Sequence, residues 1–323
     1  MERRTFLAIA SVTLLAAPLA AEAQQAPKVP RVGSLTTGPR TAASESVLGD
    51  PLAALGYVEG KTIIVERRYA EGRVDRLSAL AGELVQLNAD VIVAWGVEPL
   101  GAVRKATSRI PIVMVGGTDP VADGWAKSLS KPGGQITGVS FGGPELSGKR
   151  LELLREALPG LSRVVLLRDP SSWPASVRQT ESAARALNLH LDVLAVKGAA
   201  DLDGAFKTAV KRRAGAMQLN ESSMLTAQRA KIAELTIRNR VPVIGSLKTS
   251  AEAGLLMSYG VGLPHVAQRV AALVDKILQG ARPGDLPFEA PTQFELVINR
   301  KTAKALGLTI PPSLLARADQ VIE

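Results

Sequence analysis

Asp90-Val91-Ile92-Val93-Ala94 is an apolar strand behind a single acid. No polar residue interrupts it, so neither face can be left to water. A strand of this kind belongs in a parallel sheet covered by helices on both sides. Trp95-Gly96-Val97-Glu98 follows it, then a short helical stretch from Pro99 to Thr107, then a second apolar strand from Pro111 to Val115. That strand runs into Gly116-Gly117-Thr118-Asp119-Pro120.

The same alternation extends outward in both directions. Upstream, Arg31 to Leu35 reads as a strand and Ser44 to Leu55 as a helix, with Gly56 suited to its C-terminal cap. Thr62 to Val65 is a further strand. Arg76 to Leu87 places Leu77, Leu80, Ala81, Leu84, Val85 and Leu87 on one helical face. Downstream the order repeats. Strands are expected at Arg163 to Leu167, Leu189 to Val196, Ala216 to Leu219 and Pro242 to Ile244. Helices are expected at Ala175 to Leu187, Leu202 to Arg213 and Thr226 to Asn239. Strand starts near 32, 63, 91 and 112 correspond to starts near 164, 191, 216 and 243.

Two such units imply an α/β fold of two doubly wound parallel-sheet lobes, with ligand-facing loops at the strand C-terminal ends. A tail remains: a long amphipathic helix from His265 to Gln279, a strand from Phe294 to Ile298 and a helix from Arg300 to Leu306. Elements added to both lobes require the chain to pass between them more than once. The expected crossings lie near 137–141, 256–260 and 290–294. The first lobe is then 24–138 plus 260–290, and the second is 139–256 plus 294–323.

Composition narrows the function. The chain has 323 residues, 46% hydrophobic and 21% charged, enough apolar material for two cores. The absence of cysteine removes disulfides, thiol catalysis, Cys-zinc sites and a lipid anchor on cysteine. His190 and His265 are the only histidines, too few for a multi-histidine metal site. At the N-terminus, Met1 to Arg4 is basic, Phe6 to Leu19 is apolar, and Ala21-Glu22-Ala23 offers a small-x-small cleavage pattern. The apolar run is shorter than the ~20 residues of a membrane span, so residues 1–23 read as a cleaved leader rather than an anchor. Arg3-Arg4-Thr5-Phe6-Leu7 leaves both the general and the twin-arginine export routes open. A soluble, unanchored product in a periplasm is expected.

A set of segments then points to a family. Gly56-Tyr57-Val58-Glu59-Gly60-Lys61, Tyr69-Ala70-Glu71-Gly72-Arg73, Asp75-Arg76-Leu77 and Asp119-Pro120-Val121 come first. Lys131-Pro132-Gly133-Gly134, Thr137-Gly138-Val139-Ser140 and Lys149-Arg150-Leu151-Glu152-Leu153-Leu154 follow. Thr302-Ala303-Lys304-Ala305-Leu306-Gly307-Leu308 with Ile310-Pro311 closes the series. The ordered set, not any single motif, resembles the ABC transporter substrate-binding protein family that includes tryptophan- and tyrosine-type uptake proteins. The resemblance covers essentially the whole chain after the leader. It implies a type I periplasmic-binding-protein fold of two lobes and three crossing segments, with ligand in the cleft. It also implies an ABC permease with its cytoplasmic ATPase as partner, no cofactor and no catalysis.

The residues themselves suggest how such a cleft would work. Helix N-termini offer free backbone N–H groups and a favourable dipole to a carboxylate. Ser34 and Thr36 follow the first strand, Trp95 and Gly96 the third, and Thr118 and Asp119 the fourth. Asp169 with Ser171, and Asn220 with Ser222, face them from the second lobe. Asp119 and Asp169 are candidates to pair an ammonium group; the alternative for each is a turn or a helix cap. Trp95, Trp173 and Tyr259 are candidates to stack on a ligand ring; the alternative is packing between lobes. The expected ligand is an amino acid or related small carboxylate, aromatic side chains being favoured by the resemblance. Glu98 stands against this at one point. Beside a helix start and turned inward, it would oppose a ligand carboxylate at that loop.

Other functions fit less well. Gly143 to Lys149 has phosphate-loop spacing, but Arg150 stands where magnesium coordination needs Ser or Thr. The net charge is +9, and Arg67-Arg68 and Lys211-Arg212-Arg213 are its densest clusters. Neither cluster carries interleaved aromatics or a nucleic-acid motif, so solvated faces are expected. The expected function is an extracytoplasmic solute-binding protein for an ABC importer. The alternative is a periplasmic sensor module that signals to a membrane receptor.

Overall fold

The computed structural model describes residues 28–116, 119–141, 145–170, 174–220 and 222–323. The leader 1–23, Thr118, Ser171 and Trp173 lie outside these residues. The strands are β1 (Arg31–Thr36), β2 (Ile64–Tyr69), β3 (Val91–Trp95), β4 (Ile112–Gly116), β5 (Ile136–Ser140) and β6 (Arg163–Arg168). They continue as β7 (His190–Ala195), β8 (Ala216–Leu219), β9 (Val243–Gly245), β10 (Met257–Val261), β11 (Phe294–Asn299) and β12 (Gln320–Ile322). The helices are α1 (Ala42–Ala54), α2 (Leu77–Gln86), α3 (Val97–Ala106), α4 (Glu145–Ala157), α5 (Pro174–Ala186) and α6 (Ala199–Lys211). They continue as α7 (Ser223–Ala227), α8 (Arg229–Asn239), α9 (Lys248–Glu252), α10 (Leu263–Leu278), α11 (Arg300–Ala305) and α12 (Pro312–Leu315).

Two sheets form two lobes. The first runs β2-β1-β3-β4-β5, all parallel. The second runs β12-β11-β10-β9-β8-β6-β7. Read from β6, its β7-β6-β8-β9-β10 portion repeats the order of the first sheet. β11 departs from the expected parallel pattern: it pairs antiparallel with β10, through Met257 opposite Ile298 and Tyr259 opposite Leu296. β12, which no sequence signal marked, then adds parallel to β11.

The run at Val91 shows why the sheet is covered twice. Val91 and Val93 point to one face and pack with Val32, Leu48, Leu52, Val266 and Val270. Ile92 and Ala94 point to the other and pack with Leu77, Leu80, Leu84, Leu100 and Val103. Helices α1 and α10 thus cover one face, and α2 and α3 the other. Each Val or Ile buried this way contributes roughly 1.5–3 kcal/mol before ordering costs. The second sheet is built alike. Val164, Ala216 and Ile244 pack toward Leu151 and Leu154 of α4, while Val165, Met217 and Val243 pack toward Phe206 and Ile232.

The chain passes between the sheets where the tail elements join. β5 keeps it in the first sheet through Ser140, and β10 keeps it in the second through Val261. α10 returns to the first lobe, where the Tyr57 hydroxyl donates to Asp275 at 2.8 Å. β11 then goes back to the second sheet. Gly260 is needed near the end of β10. A β-carbon there would lie 1.9 Å from the Ser246 carbonyl oxygen and 3.5 Å from the Arg150 guanidinium. Arg150 is fully buried on α4, and its Nε donates to the Tyr259 carbonyl at 2.7 Å.

The helix expected from Thr226 to Asn239 is two helices. α7 starts earlier, at Ser223, and the chain breaks at Gln228 before α8. The second strand lies later than Thr62 to Val65, at Ile64–Tyr69. The basic clusters are ion-paired surfaces: Arg67 meets Glu59 at 2.5 Å, Arg68 meets Glu83 at 2.7 Å and Arg212 meets Asp192 at 2.9 Å. No helix among the described residues is long and apolar enough to cross a membrane.

Candidate functional site

The two sheets present their strand C-terminal ends to each other, and a cavity of about 210 Å³ lies between them. Thr36 ends β1, Trp95 ends β3, and the two are in register as neighbours across the sheet. Gly96 caps α3 at a φ of 111°, a conformation that favours glycine. It brings Val97 and Glu98 onto the cavity wall. The second lobe supplies Ser222, Ser223, Thr226 and Arg229, together with Ser246 and Leu247 beyond β9. Phe141, on the first passage between lobes, completes the apolar lining with Val115, Val261 and Leu263.

Trp95 is held in place by its own polar edge. Its indole N–H donates to the Ser34 hydroxyl at 3.1 Å. Ser34 is therefore a support for the ring and is not part of the lining. The Thr36 hydroxyl accepts from the Gly38 N–H at 3.1 Å, which fixes the turn that follows β1. Across the cleft, the Ser222 hydroxyl accepts from Leu225 N–H at 3.3 Å as the N-cap of α7, and it donates to Asp169. Asp169 is buried there. Asn220, also buried, accepts from the Ser176 hydroxyl at 2.8 Å through its side-chain oxygen.

The structure thus brings Thr36, Trp95, Gly96 and Ser222 to one cavity, with Ser34 and Asp169 each one hydrogen bond behind it. Asp119 is not in the lining. Its carboxylate accepts from the backbone of Val121 and Ala122 at 3.0 Å, which is the turn role. Tyr259 lies in a different hollow, with Ser140, Lys149 and Phe294, and its ring sits 6.2 Å from that of Phe294. Phe141, Ser223, Arg229, Ser246 and Leu247 were not among the expected site residues. Ser246 and Leu247 follow the C-terminal end of a strand and were open to the same reading as Thr36. Arg229 was hidden inside what read as one continuous helix.

Against known proteins, residues 32–322 match the model of the family described as ABC transporter substrate binding protein. The chain belongs to this family. A tyrosine-binding protein of Clostridioides difficile is 25% identical over 256 residues, covering 78% of this chain and 73% of that one. A conserved domain protein of Vibrio cholerae has a crystal structure with a TM-score of 0.83 and 28% identity, covering 91% of this chain and all of that one. An ABC domain from Streptococcus pneumoniae, solved in complex with L-Trp, has a TM-score of 0.80 and 25% identity, covering 90% of this chain and all of that one. The two-lobed α/β architecture of this substrate-binding protein is therefore that of the periplasmic binding proteins. Among the described residues no group of His, Asp or Glu is arranged to hold a metal ion.

Proposed function

We propose that this substrate-binding protein captures an amino acid or related small carboxylate, with an aromatic side chain, and delivers it to an ABC importer. The observation that carries this reading is a cavity at the strand C-terminal ends of both lobes, lined by Trp95 and Phe141 and by the hydroxyls of Thr36, Ser222, Ser223, Thr226 and Ser246. An aromatic ring fits such a wall, and stacking contributes ~0.5–1.5 kcal/mol beyond burial. The relatives named for tyrosine and solved with L-Trp support the same ligand class.

In this reading the first lobe is 24–138 plus 260–290 and the second 139–256 plus 294–323. The passages near 137–141, 256–260 and 290–294 act as hinge, a few residues absorbing the rotation. The permease recognises the closed form, so ligand must bind that form better than the open one. Residues 1–23 are removed on export, and the product works in the periplasm.

Thermal shift of the purified mature protein against amino acids, aromatic acids, purines and sugars tests the ligand class. At a ligand concentration 100-fold above Kd, binding adds ~2.7 kcal/mol. In a chain this size the melting midpoint rises by roughly 2 °C or more. A hit also compacts the protein in small-angle scattering. A sugar or nucleobase as sole hit sinks the carboxylate reading. Fractionation tests location: recovery only in the membrane pellet overturns it.

A further inference from the structure

Among the described residues lining the cleft cavity, two carry charge, and they stand on opposite lobes. Glu98 lies in the first turn of α3 on the first lobe. Arg229 opens α8 on the second. The rest of the lining is apolar or hydroxylic. We propose that this pair sets the ligand class of the cleft as a zwitterion, its ammonium at Glu98 and its carboxylate at Arg229. The inference rests on the function proposed above and specifies how that site is read.

The polarity follows from the residues. A helix N-terminus ordinarily attracts an anion. At α3 that role is already filled, because Glu98 itself supplies the negative charge. A ligand carboxylate placed there would meet a like charge in a half-buried site, whereas an ammonium group would meet an opposite charge whose oxygens accept its hydrogen bonds. A carboxylate offers about four lone-pair positions, so Glu98 can take an ammonium group while keeping its protein contacts. The carboxylate must then lie elsewhere in the same cavity. Arg229 donates one Nη1 hydrogen bond to the Thr226 carbonyl at 3.1 Å, which fixes its direction. A guanidinium has five donors in a planar fork, and a carboxylate fits that fork side by side. A ligand held this way touches both lobes with opposite charges, which ties recognition to closure.

The experiment compares three probes on the intact mature protein by calorimetry: L-tryptophan, tryptamine, which lacks the carboxylate, and indole-3-propionate, which lacks the ammonium group. The native protein should prefer L-tryptophan to either analogue by roughly tenfold or more. Glu98→Gln should weaken L-tryptophan by roughly tenfold or more and leave indole-3-propionate as tight or tighter. Arg229→Gln should do the converse, sparing tryptamine, and Arg229→Lys should restore part of the carboxylate preference. Circular dichroism and the unliganded midpoint establish that each variant is folded. If the native protein binds amino acids but both Gln variants keep its selectivity, the charge assignment is overturned and the proposed function stands. If no amino acid in the wider screen binds, both readings fail together.

Discussion

Gly96 and Ser223 face each other across the cleft so closely that a β-carbon built on Gly96 would lie 2.6 Å from the Ser223 hydroxyl oxygen. The two residues belong to opposite lobes, and a methyl on Gly96 would have to turn the Ser223 hydroxyl aside. Gly96→Ala should weaken ligand binding by displacing the Ser223 hydroxyl on the cavity wall, and its φ of 111° with ψ of 169°, a region essentially reserved for glycine, should cost about 1–3 kcal/mol of stability. Gly101→Ala, on the same helix, meets nothing within 4 Å and should stabilise the protein by about 0.5–1 kcal/mol. Ligand affinities and melting midpoints of the two variants separate an effect at the cavity wall from a general effect on α3.

Trp95 forms a wall of the cavity and Ser34 fixes its ring. Trp95→Ala should reduce affinity for an aromatic ligand by about tenfold or more. Ser34→Ala leaves the ring present but its N–H without this acceptor, and should produce a smaller loss. Equal affinity for all three proteins in calorimetry would exclude the ring from recognition.

Arg150 joins α4 to the carbonyl of Tyr259 on β10, within the second lobe. Arg150→Ala removes a fully buried side chain and a charged donor together, at an expected cost of about 2–4 kcal/mol. Arg150→Met, which refills most of the volume, should recover part of this. Urea midpoints measure both.

Tyr57 gives a pH signature. Burial first, and then the hydrogen bond to Asp275, raise its phenol from the ordinary 10.0 to about 12. The folded state holds the proton more tightly than the unfolded chain does. The stabilisation is therefore complete below pH 10.0 and is lost as pH rises towards about 12. Ultraviolet absorbance should show this tyrosine ionising late. Tyr57→Phe should delete that late transition and lower stability at neutral pH by about 1 kcal/mol.

Much of this fold is legible in the sequence because burial on two faces demands apolar strands, and Asp90 to Ala94 or Arg163 to Leu167 can be little else. β11 is also legible as a strand, but its direction is not. An antiparallel partner needs no different residues from a parallel one once both faces are covered. The site is half legible. Thr36, Trp95, Gly96 and Ser222 line the cavity, as the rule that strand-end loops open into the cleft leads one to expect. Phe141 and Arg229 do not, since one sits on a passage between lobes and the other beyond a helix break with no Gly or Pro to mark it. Asp119 shows the opposite failure. An acid at a strand end satisfies the turn it begins as readily as it meets a ligand, and only geometry separates the two.

The position of α10 in the chain governs how the molecule is made. The helix that covers one face of the first sheet is Leu263–Leu278, more than a hundred residues after that sheet ends at Ser140. A chain emerging in order completes β1 to β5 while Val32, Val93 and Val113 still lack that cover. The first lobe can mature only after β6 to β10 have been synthesised, so the two lobes must finish folding almost together. Non-local closure of this kind slows folding and leaves apolar surface open to other chains in the interval. A fragment ending at Ser140 should therefore aggregate rather than fold, and any cell that makes this protein must keep the early sheet available to the late helix.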